Sequence, residues 1–150
     1  MQAYLGSRYG GEWIVNNGKR GILYVGVVRL TAADQRFARN HIHMGQRANI
    51  SLVSERYSMT RLDAYDAVVN RYVESHTRDG ELENHPFLGF AVSPPDNAVK
   101  LIVSKNDSAF WITTMRRLVP NDAFVVQYSS VTAAAAMGKG PSSRLEVPVS

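Results

Sequence analysis

The chain contains no cysteine, and this absence removes three classes of site at once. Disulfide bridges, thiolate nucleophiles and cysteine-ligated zinc sites all need that side chain, so an apolar core has to stabilise the fold. Of its 150 residues, 45% are hydrophobic and 20% are charged, which is typical of a globular protein. We therefore expect one domain, or two tightly packed halves.

Long apolar runs are also missing. No stretch approaches the ~20 residues that a membrane-spanning helix needs, so we expect no membrane partner. Residues 1–11 hold no apolar stretch of signal-peptide length, and export is therefore expected to depend on a leader beyond these residues. The compartment stays open on this basis.

Neither sign of charge dominates the chain. Lys and Arg number 17 against 13 Asp and Glu, which gives a net charge of +4. The basic residues are scattered over the chain and lack the alternation with aromatic residues along one strand that is typical of nucleic-acid-binding surfaces. We therefore expect no nucleic-acid partner. The aromatic residues at strand and helix spacing are interpreted as core residues first: Trp13, Tyr24, Phe90, Trp111, Phe124 and Tyr128.

The first half of the chain carries the pattern of a hairpin, a helix and a strand. Residues 11–15 and 22–28 flank an Asn-Gly pair, which favours a tight β-turn. Thr31 to Asp34 has the form of a capping box, and a third strand is predicted over residues 50–57. The helix between them is predicted to end near Gly45, with apolar positions Ala33, Phe37, Ala38 and Ile42.

The clearest helix of the chain follows Ser58 or Thr60, either of which can cap it. Its apolar positions fall on one stripe: Leu62, Tyr65, Val69, Tyr72 and Val73. After it, residues 75–86 are polar and lack periodicity, so they are predicted to form an exposed loop between two halves.

The second half repeats the order of the first. Residues 87–92 and 98–103 flank a Pro-rich turn at 93–97, which predicts a second hairpin. Asp107 or Ser108 then caps a helix, and residues 124–128 supply the closing strand. The apolar positions of this helix are Phe110, Trp111, Met115 and Leu118.

These patterns predict an α+β fold of two ββαβ units joined by a helix, with small antiparallel or mixed sheets packed against helices. The α+β region spans residues 1–130, its halves being 9–75 and 86–130 with a loop at 76–85. Residues 131–150 are rich in small residues and are predicted to be a linker-like tail. The likeness of the two halves is explained equally well by duplication and by coincidence.

The chain lacks the motifs that announce catalysis. Neither Gly-x-Ser-x-Gly nor Ser-x-x-Lys occurs. His41 and His43 point to opposite sides of a helix and cannot share a metal ion there. A polar cluster of His76, Asp79, Glu81, Glu83 and His85 lacks the order of a calcium loop and is interpreted as a solvated loop. We therefore expect no catalytic residue, metal or cofactor, and an enzyme with a composite site of Asp79, Glu83 and His85 is the third and least favoured alternative.

Four short motifs extend together over about residues 9–130. They are Tyr-Gly-Gly-Glu-Trp-Ile at 9–14, Tyr-Ser at 57–58 before the helix that contains Leu62, Asp-Asn-Ala-Val at 96–99, and Val-Pro-Asn-Asp-Ala-Phe at 119–124. With these motifs the chain resembles the propeptides of secreted bacterial chymotrypsin-like serine proteases, the α-lytic protease and streptogrisin group.

The resemblance implies a folding chaperone and tight inhibitor of a serine protease domain, secreted and not itself an enzyme. In that family the C-terminal sheet extends a protease hairpin by strand addition, and the segment after the last strand enters the active site like a product. The matching positions here are Phe124, Val126 and Tyr128 in the last strand, and Ser129, Ser130 and Val131 in the exit segment.

No protease domain follows these positions before the chain ends at residue 150. Three alternatives therefore stay open: a fragment, a homologue that acts in trans, or a free-standing binding or scaffold domain of the same fold with a non-protease partner.

Overall fold

The computed structural model describes residues 1–16, 18, 21–42 and 49–129, and in these ranges it confirms the α+β fold. Two ββαβ units follow one another and are joined by a helix. The chain begins with α1 (Gln2–Leu5) and a 3₁₀ turn (Gly6–Arg8). The N-terminal unit then has β1 (Tyr9–Asn16), β2 (Gly21–Val28), α2 (Ala32–Ile42) and β3 (Asn49–Glu55). The joining helix is α3 (Met59–Arg78), and the C-terminal unit has β4 (Phe87–Ser93), β5 (Ala98–Ser104), α4 (Ser108–Leu118) and β6 (Phe124–Ser129).

Each unit forms a three-stranded sheet whose centre is its second strand, in the orders β1-β2-β3 and β4-β5-β6. The hairpin strands pair antiparallel, as a short connection along the chain allows, and the third strand is parallel because a helix lies between it and the second strand. The third strand of each unit therefore lies at an edge of its sheet.

The first strand of each unit carries a one-residue bulge at the same place. The pairing shifts between Tyr9 and Glu12 in β1, and between Phe87 and Gly89 in β4. Gly11 has φ +103°, and a Cβ at this position would lie 2.8 Å from the Cβ of Pro94. A side chain at Gly11 would therefore collide with the C-terminal unit, quite apart from the backbone strain.

The larger core lies between the β4-β5-β6 sheet and the helices α3 and α4. Val99, Leu101 and Val103 alternate along β5, are fully buried and pack against the helices. Trp111 is fully buried as well, and its indole nitrogen donates to the carbonyl oxygen of His85 at 3.2 Å. The helix stripe predicted from the sequence is confirmed, since Leu62, Val69 and Val73 are buried and Tyr65 and Tyr72 pack beside them.

The smaller core of the N-terminal unit contains a residue that the sequence pattern missed. Leu5 of α1 is buried with Val25 and Val27 of β2, although residues before Tyr9 carry no periodic signal.

The predicted apolar stripe of α2 is partly wrong, because Ala33 is exposed while Ala38 is buried. The face that packs inward runs through Asp34 and Ala38, one helical turn apart. Ile42 belongs to α2 but its side chain lies outside the described residues, as does the predicted helix end at Gly45.

A half-buried ion pair connects α2 to the 3₁₀ turn before β1. Arg8 donates two hydrogen bonds of 2.8 Å to the carboxylate of Asp34, which is 1% exposed. The predicted capping box is confirmed: Thr31 donates to Asp34 from its amide and hydroxyl groups, and the amide of Asp34 donates to the Thr31 hydroxyl. The hydrogen bonds from Arg8, followed by those from Thr31, hold the pKa of the Asp34 carboxyl well below its usual range.

The segment predicted as a loop at 76–85 differs in the structure. Helix α3 continues to Arg78, and Leu82 is 6% exposed in the larger core. The helix is capped at Asp79, whose amide donates to the carbonyl oxygens of Ser75 and Thr77. Along the described residues, no helix combines the length and apolar character that crossing a bilayer requires.

Acid should weaken the fold through Asp34. Its pKa is lower in the folded than in the unfolded chain, so its stabilising effect is complete above the unfolded value of about 3.9 and is lost as the pH falls further. Asp34→Asn should lower stability at neutral pH and flatten the decline below about pH 4. Urea unfolding over the acid range tests this, and an unchanged acid slope in the variant would contradict it.

Core and edge should respond differently to the loss of an aliphatic side chain. Leu101→Ala should lower the free energy of unfolding by about 2–5 kcal/mol, because it leaves a cavity in the larger core. Ile14→Ala, at a position 66% exposed, should change it by less than about 0.5 kcal/mol. Urea denaturation measures both, and equal losses would refute this account of the core.

Candidate protein-binding edge

Four of the six predicted partner-binding residues lie in β6, at one edge of the C-terminal sheet. Phe124 and Val126 are partly buried and pack against the larger core, whereas Tyr128 is 54% exposed. Ser129 ends β6. The remaining two predicted residues, Ser130 and Val131, lie outside the described residues, as does the predicted tail.

The backbone of β6 alternates between its neighbour and the open edge. The amide of Val99 donates to the carbonyl oxygen of Ala123 at 2.9 Å, which places the carbonyl group of Ala123 toward β5. Because successive residues of a strand direct their peptide groups to opposite sides, Val125 and Gln127 also face β5. The amide and carbonyl groups of three residues therefore point outward: Phe124, Val126 and Tyr128.

This edge is regular. The pairing of β6 with β5 runs from Phe124 to Ser129 without a register shift. The first strand of each hairpin, β1 or β4, lies at the opposite edge of its sheet and is bulged. A bulge interrupts the ladder that a further strand would extend. Strand β3 is also regular, so the unbulged edges in the described part of the chain are those of the two parallel strands.

The two faces of the C-terminal sheet differ in their cover. Helices α3 and α4 pack on the face of Val99, Leu101 and Val103, and the opposite face carries half-buried Lys100 and Ile102. A shallow depression of about 350 Å³ on that face is lined by residues that include Ala91, Lys100 and Ile102.

Lys100 on this face is paired with a carboxylate in the turn between β4 and β5. Its ammonium group lies 2.8 Å from the carboxylate of Asp96. The hydrogen bond from Lys100, together with one from Ser93, lowers the pKa of the Asp96 carboxyl. The open face therefore combines apolar side chains with a locally neutralised charge.

The polar cluster of residues 76–85 is divided between two places. His76 lies 3.5 Å from Glu81, while His85 lies 3.5 Å from Asp107 and stacks on Phe110 with ring centroids 3.9 Å apart. Within the ranges that the structure describes, no three His, Asp or Glu side chains meet closely enough to hold a metal ion.

Ser75 and His76 approach each other, but their geometry is that of a helix end. The Ser75 hydroxyl lies 2.9 Å from Nδ1 of His76 and donates to the Tyr72 carbonyl oxygen, and the same Nδ1 lies 2.8 Å from that oxygen. A proton on Nδ1 satisfies the carbonyl group, and a protonated nitrogen cannot then accept the serine proton. A serine–base pair needs the opposite arrangement.

The remaining histidine and aromatic predictions have mixed outcomes. His41 stacks on Phe37 in the last turn of α2, with ring centroids 3.9 Å apart, and His43 lies outside the described residues.

Trp111 is a core residue as predicted, but the core interpretation is wrong for Tyr128. Its position at the end of an edge strand leaves its ring beyond the helices.

The junction between the units is built by residues whose partners the sequence did not reveal. The side chain of Asn97 bonds to the backbone of Arg56 and Tyr57, and Asp122 contacts both of their side chains. The sequence predicted a turn at Asn97 but not the burial of its side-chain amide. The one sequence signal was the residue type, because asparagine tolerates the left-handed backbone conformation.

Comparison of the whole chain with known protein families and with curated proteins finds no match. The edge of β6 is therefore interpreted from its own geometry.

The alternation of peptide groups in β6 can be measured directly. The amides of Val126 and Tyr128 should exchange with solvent deuterium about tenfold or more faster than those of Val125 and Gln127, because only the latter bond to β5. Hydrogen exchange followed by NMR resolves them individually. Uniform protection along the strand would show that another segment already covers the edge.

Proposed function

We propose that this chain is a non-catalytic protein-binding domain that inhibits a chymotrypsin-like serine protease and assists its folding, through addition of a protease strand to β6. The proposal is supported by the ββαβ-α-ββαβ order, which the propeptide resemblance implies, and by the regular outer edge of the last strand. It requires no cofactor or metal.

The outward peptide groups of Phe124, Val126 and Tyr128 carry the proposal. Each residue offers one donor and one acceptor to an incoming strand, and each hydrogen bond formed contributes a net ~0.5–1.5 kcal/mol. The side chains of Phe124 and Val126 are anchored in the core, so the edge is already extended before a partner arrives. Such preorganisation reduces the entropy lost on binding.

The exit segment is the second element of the proposal. The exit segment implied by the resemblance, Ser129, Ser130 and Val131, begins at the last residue of β6. The resemblance implies that this segment lies in the protease active site as a product would. Occupation of that site by the segment would block access of substrate, while the added strand holds the protease hairpin in its folded position. Both effects would arise from one binding event.

Proline at position 128 should separate strand addition from side-chain contacts. Tyr128→Pro removes an outward amide hydrogen, and no bond to β5 is lost, so the sheet should survive, as proline does on edge strands. We expect at least a tenfold loss of inhibition of α-lytic-type and streptogrisin-type proteases. Tyr128→Ala removes the same ring and keeps the amide, so it should retain more of the inhibition.

Peptide hydrolysis by each purified protease is measured against increasing concentrations of the wild-type chain and both variants, with thermal unfolding to confirm that each is folded. Unchanged hydrolysis by every protease at micromolar wild-type chain would refute the protease role. Equal inhibition by Tyr128→Pro and wild type would refute strand addition at β6. Binding of the edge by a non-protease partner alone would favour the scaffold function.

A further inference from the structure

The link between β3 and α3 is a point where the two units are joined by hydrogen bonds. The amides of Arg56 and Tyr57 donate to Oδ1 of Asn97 at 3.1 Å and 2.8 Å, and Nδ2 of Asn97 donates to the carbonyl oxygen of Tyr57 at 2.8 Å. Asn97 is 7% exposed and adopts φ 47° and ψ 45°. The side-chain amide of Asn97 therefore takes the place of a backbone hydrogen-bond partner for the link residues Arg56 and Tyr57.

The same link reaches a second point of the C-terminal unit. The hydroxyl of Tyr57 donates to Asp122 at 2.7 Å, and the guanidinium of Arg56 forms an ion pair with the same carboxylate. Arg56 and Asp122 are largely exposed, and exposed ion pairs contribute little to stability. The buried Asn97 contacts are therefore the stronger part of the junction.

These two points lie side by side in the sheet. Asn97 immediately precedes β5 and Asp122 comes just before β6, and the pairing of Val99 with Phe124 places the two strand starts next to each other. A single link from the N-terminal unit therefore holds the beginnings of both strands.

We propose that Asn97 and Tyr57 are positioning residues through which the N-terminal unit holds β6 in register as a binding edge. Loosening the link frees the start of β6 to separate from β5 without unfolding the N-terminal sheet. For partner binding the inference rests on the proposed function, since it makes recognition at one unit depend on the other. For the order of β6 itself, it rests only on the contacts above.

Asn97→Asp is the sharpest perturbation of the link. Aspartate tolerates the left-handed backbone and keeps an acceptor for the two amides, but it places an oxygen opposite the Tyr57 carbonyl oxygen. Tyr57→Phe is milder, because it deletes only the hydroxyl that bonds Asp122. Tyr65→Phe is the matched control: it keeps the ring that packs edge-on against Tyr57 and deletes only a hydroxyl that accepts from Arg61, within α3.

Hydrogen exchange of the full chain is measured for the amides of Val125 and Gln127 in β6 and of Val25 and Val27 in β2. In Asn97→Asp the β6 amides should exchange about tenfold faster relative to the β2 amides, and in Tyr57→Phe by a smaller factor. Tyr65→Phe should leave the ratio unchanged. An unchanged ratio in Asn97→Asp, whether from no effect or from equal acceleration in both strands, overturns the positioning role.

Protease inhibition by the same variants separates this inference from the proposed function. If wild type inhibits, Asn97→Asp should inhibit at least about tenfold more weakly at a temperature where it is fully folded, and inhibition equal to wild type overturns the dependence of binding on the link. If wild type inhibits no protease, the proposed function fails by itself, and the exchange ratio still decides whether Asn97 positions β6.

Discussion

Burial of the central strands β2 and β5 is the constraint on which the rest of the structure depends. In the ranges that the structure describes, each sheet has three strands, and the second strand of each unit is flanked by both others. The hairpin supplies an antiparallel neighbour and the helical crossover a parallel one. Val25 and Leu101, at the centre of these strands, are fully buried, and a regular third strand is left at the edge of each sheet.

The edge of β6 gains its proposed role from the division between side chains and backbone. Phe124 and Val126 direct their side chains into the core while their peptide groups face outward, so packing and recognition use different atoms of the same residues. A strand arranged in this way can accept a partner without repacking its interior. The bulge in β4 makes the other edge of this sheet a poorer template.

The two units are linked by a few polar contacts and by close packing at Gly11. Asn97 provides the buried hydrogen bonds, and Pro94 lies directly against the glycine, where a side chain would not fit. The N-terminal unit has its own polar anchor in Arg8 and Asp34, far along the chain from this junction. Each unit therefore has its own core, and the junction determines how the second sheet is held.

The sequence by itself determined the order of the elements from β1 to β6, the α+β class, the stripe of α3 and the capping box at Thr31. These features are local: a strand repeats every two residues, a helix every 3.6, and a cap lies within one turn. Tertiary structure alone decided that Asp34 binds Arg8, that Leu82 is buried within an otherwise polar segment, and that Asn97 joins the units. Those partners lie far apart in the chain, so no local period encodes them. The direction of the β6 peptide groups likewise follows from pairing with β5.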